Sequence, residues 1–238
     1  MAVKSTGDAA VDALYKVRKG DVEFVDVPEL AYVMIDGGGA PGGETFTDAL
    51  QALYSVSYGV HFALKKSGVA APRVMPLEGL WWTEGAAASA LFERVAAGDR
   101  GSYASSRDEW CWRLMIVQLP PVDEVAIARA VDQAKAKKGL ASLSDVRFER
   151  WAEGPSAQIM HVGPYATEAA SVAALHHAII EHGLRPRGHH HEIYLGDPRT
   201  SSPENLRTIL RQPVEPIPLH EPTGRTIRSA GRGRSSAG

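Results

Sequence analysis

The segment His189-His190-His191-Glu192-Ile193-Tyr194-Leu195 reads as a strand. Successive side chains of a β-strand point to opposite faces, so alternate residues share one. His189, His191, Ile193 and Leu195 then share one face, and His190, Glu192 and Tyr194 share the other. An earlier segment, Pro76-Leu77-Glu78-Gly79-Leu80-Trp81-Trp82, has a similar plan, with Glu78, Leu80 and Trp82 on one face. Each segment carries one glutamate mid-strand on the same face as an aromatic residue. Two strands of one plan suggest that the chain contains the same pattern twice.

Reading outward from these strands extends the repeat. Upstream of Glu192, residues 146–151 and 156–162 read as strands, and Gly163-Pro164-Tyr165 as a loop. Residues 167–182 read as a helix burying Ala169, Val172, Ala173, Leu175, Ile179 and Ile180, with Gly183 as its stop. A last strand at 207–211 is closed by Pro213. In the first copy, strands at 22–27 and 31–35 precede a glycine-rich loop at 36–43. A helix at 45–66 follows, with Phe46, Leu50, Leu53, Ser57, Val60 and Leu64 on one side. Strands at 73–82 and 110–119 complete the copy. Residues 122–138 read as a connecting helix.

The expected architecture is therefore α+β, a tandem repeat of two strand-strand-helix-strand-strand modules with pseudo-twofold symmetry and a central cleft. Its parts are an N-terminal extension (1–20), a first module (21–119), a connecting helix (120–140), a second module (141–218) and a tail (219–238). Each module alone buries a modest core. Two side by side bury more and leave a cleft between them, a common place for a ligand.

Composition excludes several classes of function. Of 238 residues, 44% are apolar and 23% charged, an ordinary globular balance. The formal net charge of -2 provides no basic face for nucleic acid. Residues 1–20 have no apolar core of a signal peptide, and no apolar run is long enough to span a bilayer. Cys111 is the single cysteine, so no internal disulfide forms, and a reducing cytoplasm fits. The expectation is a cytoplasmic monomer with its chemistry in a pocket. The tail from Glu221 is rich in Gly, Ser and Arg and is expected to be disordered.

Candidate site residues follow from the strands. Glu192 and Glu78 are expected to approach one cleft, where a carboxylate among aromatic walls serves as general base, hydrogen-bond acceptor or partner of a cation. Trp110 and Trp112 bracket Cys111 on one strand face and suit stacking on a flat ligand, with Trp82 and Tyr194 nearby. Tyr54 and Tyr58 lie at helical spacing beside the apolar stripe. The glycine-rich loop lacks both phosphate-binding signatures. Adjacent histidines on a strand diverge, so the His189–His191 run holds no metal ion, and no cofactor is expected.

The string His190-His191-Glu192-Ile193-Tyr194-Leu195-Gly196-Asp197-Pro198-Arg199 resembles the GyrI-like small-molecule-binding proteins. So do Gln158-Ile159-Met160-His161-Val162-Gly163-Pro164-Tyr165 and Leu77-Glu78-Gly79-Leu80-Trp81-Trp82, and the likeness runs from about residue 22 to residue 214. The resemblance implies a tandem α+β fold related to effector-binding domains of multidrug-sensing activators. It also implies a central pocket glutamate, which falls on Glu192. Some members of that family hydrolyse the cyclopropane ring of DNA-alkylating cyclopropylindole compounds, and others bind hydrophobic or cationic molecules. No helix-turn-helix module precedes Asp21, which argues against a regulator. The expected partner is a small aromatic molecule, with Glu192 handling water and Tyr165 or His161 hydrogen-bonded to a carbonyl. A binder that sequesters hydrophobic cations, and a protein that shields a target enzyme, remain open. Deleting residues 221–238 is expected to leave the melting temperature and ligand binding unchanged, since the tail offers no apolar anchor. A marked fall in melting temperature would show that it docks.

Overall fold

The computed structural model describes residues 5–84 and 109–218. The reading of the tail as disordered lies outside these residues. The described chain is a mixed α and β structure built around a closed sheet. Its strands are β1 (Val22–Gly38), β2 (Leu77–Thr83), β3 (Trp110–Val117), β4 (Arg147–Val162), β5 (Leu184–Pro186), β6 (His190–Tyr194) and β7 (Arg207–Pro216). Its helices are α1 (Ala9–Leu14), α2 (Glu44–Lys66), α3 (Glu124–Lys137) and α4 (Ala169–Glu181). The strands follow one another in the order β4-β1-β3-β2-β6-β7, and β7 pairs back onto β4. Closure leaves these strands without a free edge. Short β5 pairs only with the far end of β7.

Strand lengths differ from the sequence reading. Residues 22–27 and 31–35 belong to one 17-residue strand, because the ladder with β4 steps over Pro28 and resumes at Glu29. Residues 146–151 and 156–162 likewise fall within the single strand β4. Pro213 does not end the last strand, which continues to Pro216. A proline lacks only the donor, and its carbonyl still accepts from Arg187 N at 2.9 Å. Ile180, expected on the buried face of its helix, is exposed; α4 buries Val172, Leu175, His176 and Ile179 instead.

Registers divide the strand residues between two faces. Gly79 opposes both Leu114 and Glu192, and Glu192 opposes Leu210. Glu78 opposes Met115 and Ile193. Directly opposed residues share a face, so Glu192 and Glu78 lie on opposite faces of the sheet. The Glu192 face carries Trp81 and Trp112, which meet Phe46 of α2 at ring-centroid distances of 5.9 and 5.5 Å; it is the helix-covered outside. Gly37 permits the packing there: a Cβ built on it would lie 2.2 Å from the Trp112 ring.

The Glu78 face is the barrel interior, and it is charged. His191 lies between two carboxyl groups, with Nδ1 3.0 Å from Glu153 and Nε2 3.1 Å from Glu78. Arg211 lies 3.3 Å from Glu153 and donates to Gln158 Oε1 at 3.0 Å. The N-terminal segment closes this end. The Tyr15 hydroxyl donates to Glu78 at 2.5 Å, and Arg211 Nη2 donates to the Leu14 carbonyl at 3.1 Å. Asp8 starts α1 by accepting from the Ala10 and Val11 amides, and Val11, Leu14, Tyr15 and Val17 are buried. Residues read as an extension thus pack into the core.

Burial alone would push the His191 pKa down, but the facing Glu153 and Glu78 carboxyls raise it to about 9. Its folded pKa therefore exceeds the ordinary value of 6.5, and the protonated ring stabilises the fold. That contribution, about 3 kcal/mol, is complete below about pH 6.5 and is lost as pH rises through 9. Melting temperature measured from pH 6 to 10 should fall over this window. His191→Gln should lower stability at neutral pH by about 3–5 kcal/mol, as expected for a broken buried pair, and should flatten the alkaline limb.

Candidate functional site

A cavity of about 710 Å³ opens on the helix-covered face of the barrel. This volume suits a small organic ligand. One wall is α2, which contributes Phe46, Leu50, Tyr54 and Tyr58. The opposite wall is sheet: Leu77 and Trp81 of β2, Trp110 of β3, and Glu192 and Tyr194 of β6. Tyr165 and Glu168, at the start of α4, and the loop 195–199 complete it.

Aromatic packing shapes the space. Phe46 is stacked near Trp81, and Trp110 meets Trp81 edge-on at 5.5 Å. Tyr54, Tyr58 and Phe62 stack in series along α2 at 6.1 Å intervals, the spacing of successive helical turns. The series runs from the cavity to solvent, with Tyr58 48% and Phe62 59% exposed.

Glu192 is the buried carboxyl held in this wall. Its Oε2 accepts from the Tyr194 hydroxyl at 2.8 Å, and that oxygen accepts from Trp81 Nε1 at 3.0 Å. The indole thus fixes the tyrosine, and the tyrosine fixes the carboxylate. On the other side His190 Nε2 lies 3.7 Å from Glu192 Oε1. Burial, with His176 and His191 nearby, holds the His190 pKa well below its ordinary value, so this ring is neutral. Burial and the Glu192 charge push the Tyr194 hydroxyl well above its ordinary range. Burial, then Glu168 and Glu192, raise Tyr165 to about 12. Both phenols therefore keep their protons at neutral pH. Tyr165 stands edge-on to Tyr194 at 6.0 Å.

Of the residues singled out in the sequence, Glu192, Tyr165, Tyr194, Trp110, Tyr54 and Tyr58 line one cavity. Glu78, Trp82, Trp112 and His161 do not. Glu78 is turned to the barrel interior by the register described above. Trp82 shares that parity and stacks on His189 at 4.3 Å. Trp112 is fully buried beneath Phe46 and against Gly37. His161 places Nδ1 3.0 Å from Ser171 Oγ and Nε2 3.3 Å from the Pro164 carbonyl, bracing the turn that carries Tyr165. Gly163 in that turn has φ +141°, and a Cβ there would crowd Thr167 Oγ1 at 3.2 Å.

Sequence reasoning missed Trp81, Phe46, Leu50 and Glu168. Trp81 sits one residue from the tryptophan singled out, and only the register with β6 chooses between them. Phe46 and Leu50 were read as part of a core stripe, which they also are. Glu168 follows Tyr165 by three residues, one turn of helix, and this spacing was the available signal. Among the described residues no group of three or more His, Cys, Asp or Glu is placed to hold a metal ion. No helix among them is long and apolar enough to cross a membrane.

The family model of the GyrI-like small molecule binding domain matches residues 110–215. An uncharacterized conserved protein of Listeria innocua is 35% identical, with a TM-score of 0.74 over 85% of this chain and 96% of its own. The chain belongs to the GyrI-like family. Two further Listeria innocua structures of this family type, each described as a hydrolase, are 33% and 34% identical. Their TM-scores are 0.70 and 0.71, covering 86% and 85% of this chain and 96% and 95% of theirs. No curated protein matches the chain.

Trp110 and Trp112 make a contrasting pair for mutation. Trp110→Ala should weaken binding of a flat aromatic ligand by about 1–3 kcal/mol. Trp112→Ala should act through folding, by about 3–5 kcal/mol, because it empties a buried site that has no cavity face. Calorimetric affinity and melting temperature of the two variants separate these effects.

Proposed function

We propose that this GyrI-like domain detoxifies flat, electrophilic aromatic compounds by adding water to a strained cyclopropane ring, acting as a cytoplasmic monomer. The observation that carries this reading is the buried Glu192 carboxylate, held by Tyr194 in the wall of a cavity that Phe46, Trp81 and Trp110 also line. Similarity to two proteins described as hydrolases agrees with it. The order of strand pairing, in which β1, β3 and β2 on one side answer β4, β7 and β6 on the other, supports the further reading of two duplicated modules.

In the proposed reaction the ligand lies between Phe46 and Leu50 on one side and Trp81 and Trp110 on the other. A cyclopropane conjugated to a dienone carbonyl faces Glu192. Glu192 takes a proton from water as the water oxygen bonds to the ring methylene. The strained carbon–carbon bond breaks, and its electron pair passes to the carbonyl oxygen as the system becomes aromatic. Tyr165, protonated at neutral pH, donates a hydrogen bond to that oxygen as it gains charge. The proton held by Glu192 then returns to the product, for a net gain of one water.

A second reading, a non-catalytic binder of hydrophobic cations, is favoured by Glu168, which brings a second carboxyl to the same cavity. Mass spectrometry of a cyclopropylindole compound incubated with the protein should show the gain of one water. Glu192→Gln, which keeps shape and removes basicity, should slow that reaction by about a hundredfold or more. Unchanged turnover in this variant would refute the general-base role. No turnover in the wild type, together with binding of a hydrophobic cation that Glu192→Gln weakens, would establish the second reading.

A further inference from the structure

We infer that Arg73 is the anchor for an anionic oxygen on the ligand, so that the cavity selects flat aromatic molecules carrying an acidic group at one end. This rests on the cavity being the ligand site, and it adds a polarity that neither reading above contains.

Arg73 lines the cavity beside Val74, Met75 and Pro76. No carboxylate among the described residues lies within 4.0 Å of it. Its Nη2 meets only the Met75 sulfur, at 3.2 Å, and a thioether is a weak acceptor. Its Nε is buried without a hydrogen-bond partner. The acid whose charge it feels, Asp12, is already occupied by Ser5 Oγ at 2.5 Å and the Thr6 amide at 2.6 Å. Arg199, the other arginine of the lining, differs: it forks onto Asp197 at 2.8 and 3.0 Å.

A guanidinium does not shed its proton under ordinary conditions, so burial leaves Arg73 with donors to satisfy. A planar oxyanion, a carboxylate above all, matches the fork. Register places Glu192 further along the same wall. Leu77 opposes Tyr194 and Gly79 opposes Glu192 across the β2–β6 ladder. Arg73 precedes Gly79 by six residues, a reach of up to about 20 Å. The anion would sit at Arg73 and the aromatic body along Tyr54 and Tyr58, with the far end of the ligand toward Glu192.

The test uses the full chain and two probes of similar shape, 2-naphthoate and neutral 2-acetylnaphthalene, with affinities measured by titration calorimetry at low salt. Wild type should prefer the carboxylate by about tenfold, the value of one charge-assisted contact. Arg73→Gln should remove the preference, with the carboxylate losing about tenfold more affinity than the neutral probe. Equal affinities in the wild type, or a preference that survives Arg73→Gln, would overturn the inference while leaving the cavity reading intact. Failure of both probes to bind wild type would instead remove the cavity reading, and the inference with it. Should Arg73→Gln not fold, Arg73→Lys decides, because it keeps the charge and loses the fork. A severalfold drop in preference supports the anchor, and an unchanged preference refutes it.

Discussion

His191 and Glu192 are neighbours on β6 whose side chains point to opposite sides of a closed sheet. Everything else in the molecule is arranged around that division. Inside the barrel His191 lies between Glu78 and Glu153; outside it Glu192 meets Tyr194 and the aromatic cavity. A slip of one residue along β6 would exchange the two, leaving the interior acids without His191 and burying Glu192 among them. Residues 191–194 of β6 are paired on both sides, to β2 and to β7, so the slip would have to break two ladders at once. The interior pairing therefore fixes which acid faces the ligand, although no interior residue touches the cavity.

The charged interior is an expensive choice. Removing carboxyls, an imidazole and a guanidinium from water costs several kcal/mol each, and their mutual attraction offsets this only with good geometry and additional hydrogen bonds. That requirement explains the N-terminal segment. Tyr15 reaches Glu78 and the Leu14 carbonyl takes a hydrogen of Arg211, so α1 supplies hydrogen bonds that the barrel strands do not. A shifted register would break the pairs that His191 makes with Glu78 and Glu153, and register is what the cavity depends on.

This accounts for what was legible in the sequence. The helices over residues 45–66 and 167–182 were visible because their apolar spacing is local. Glu192, Tyr194 and Tyr165 could be singled out from their local strings, with the family resemblance added. What could not be read was parity between strands. Glu78 and Glu192 both sit mid-strand beside aromatics, and nothing within either segment states that Gly79, rather than Glu78, will oppose Glu192. The same single step separates Trp82, stacked on His189, from Trp81 in the cavity wall. Pro213 was misleading for a related reason. A proline forfeits one donor, and its effect depends on whether that donor faced a neighbour, which only the ladder decides.

His161 shows how a residue type associated with catalysis serves the site by support. Burial lowers its pKa, and the neutral ring spans Ser171 and the Pro164 carbonyl. It therefore ties the end of β4 to the first turn of α4. Tyr165 and Glu168 both project from the short stretch between them, so their separation from Glu192 is set by that brace. The sheet supplies the fixed carboxylate and the turn supplies the facing phenol. Together they fix two polar positions of the cavity wall. The aromatic walls contribute area and little direction. Direction comes from the polar groups set among them, Glu192 and Glu168 included.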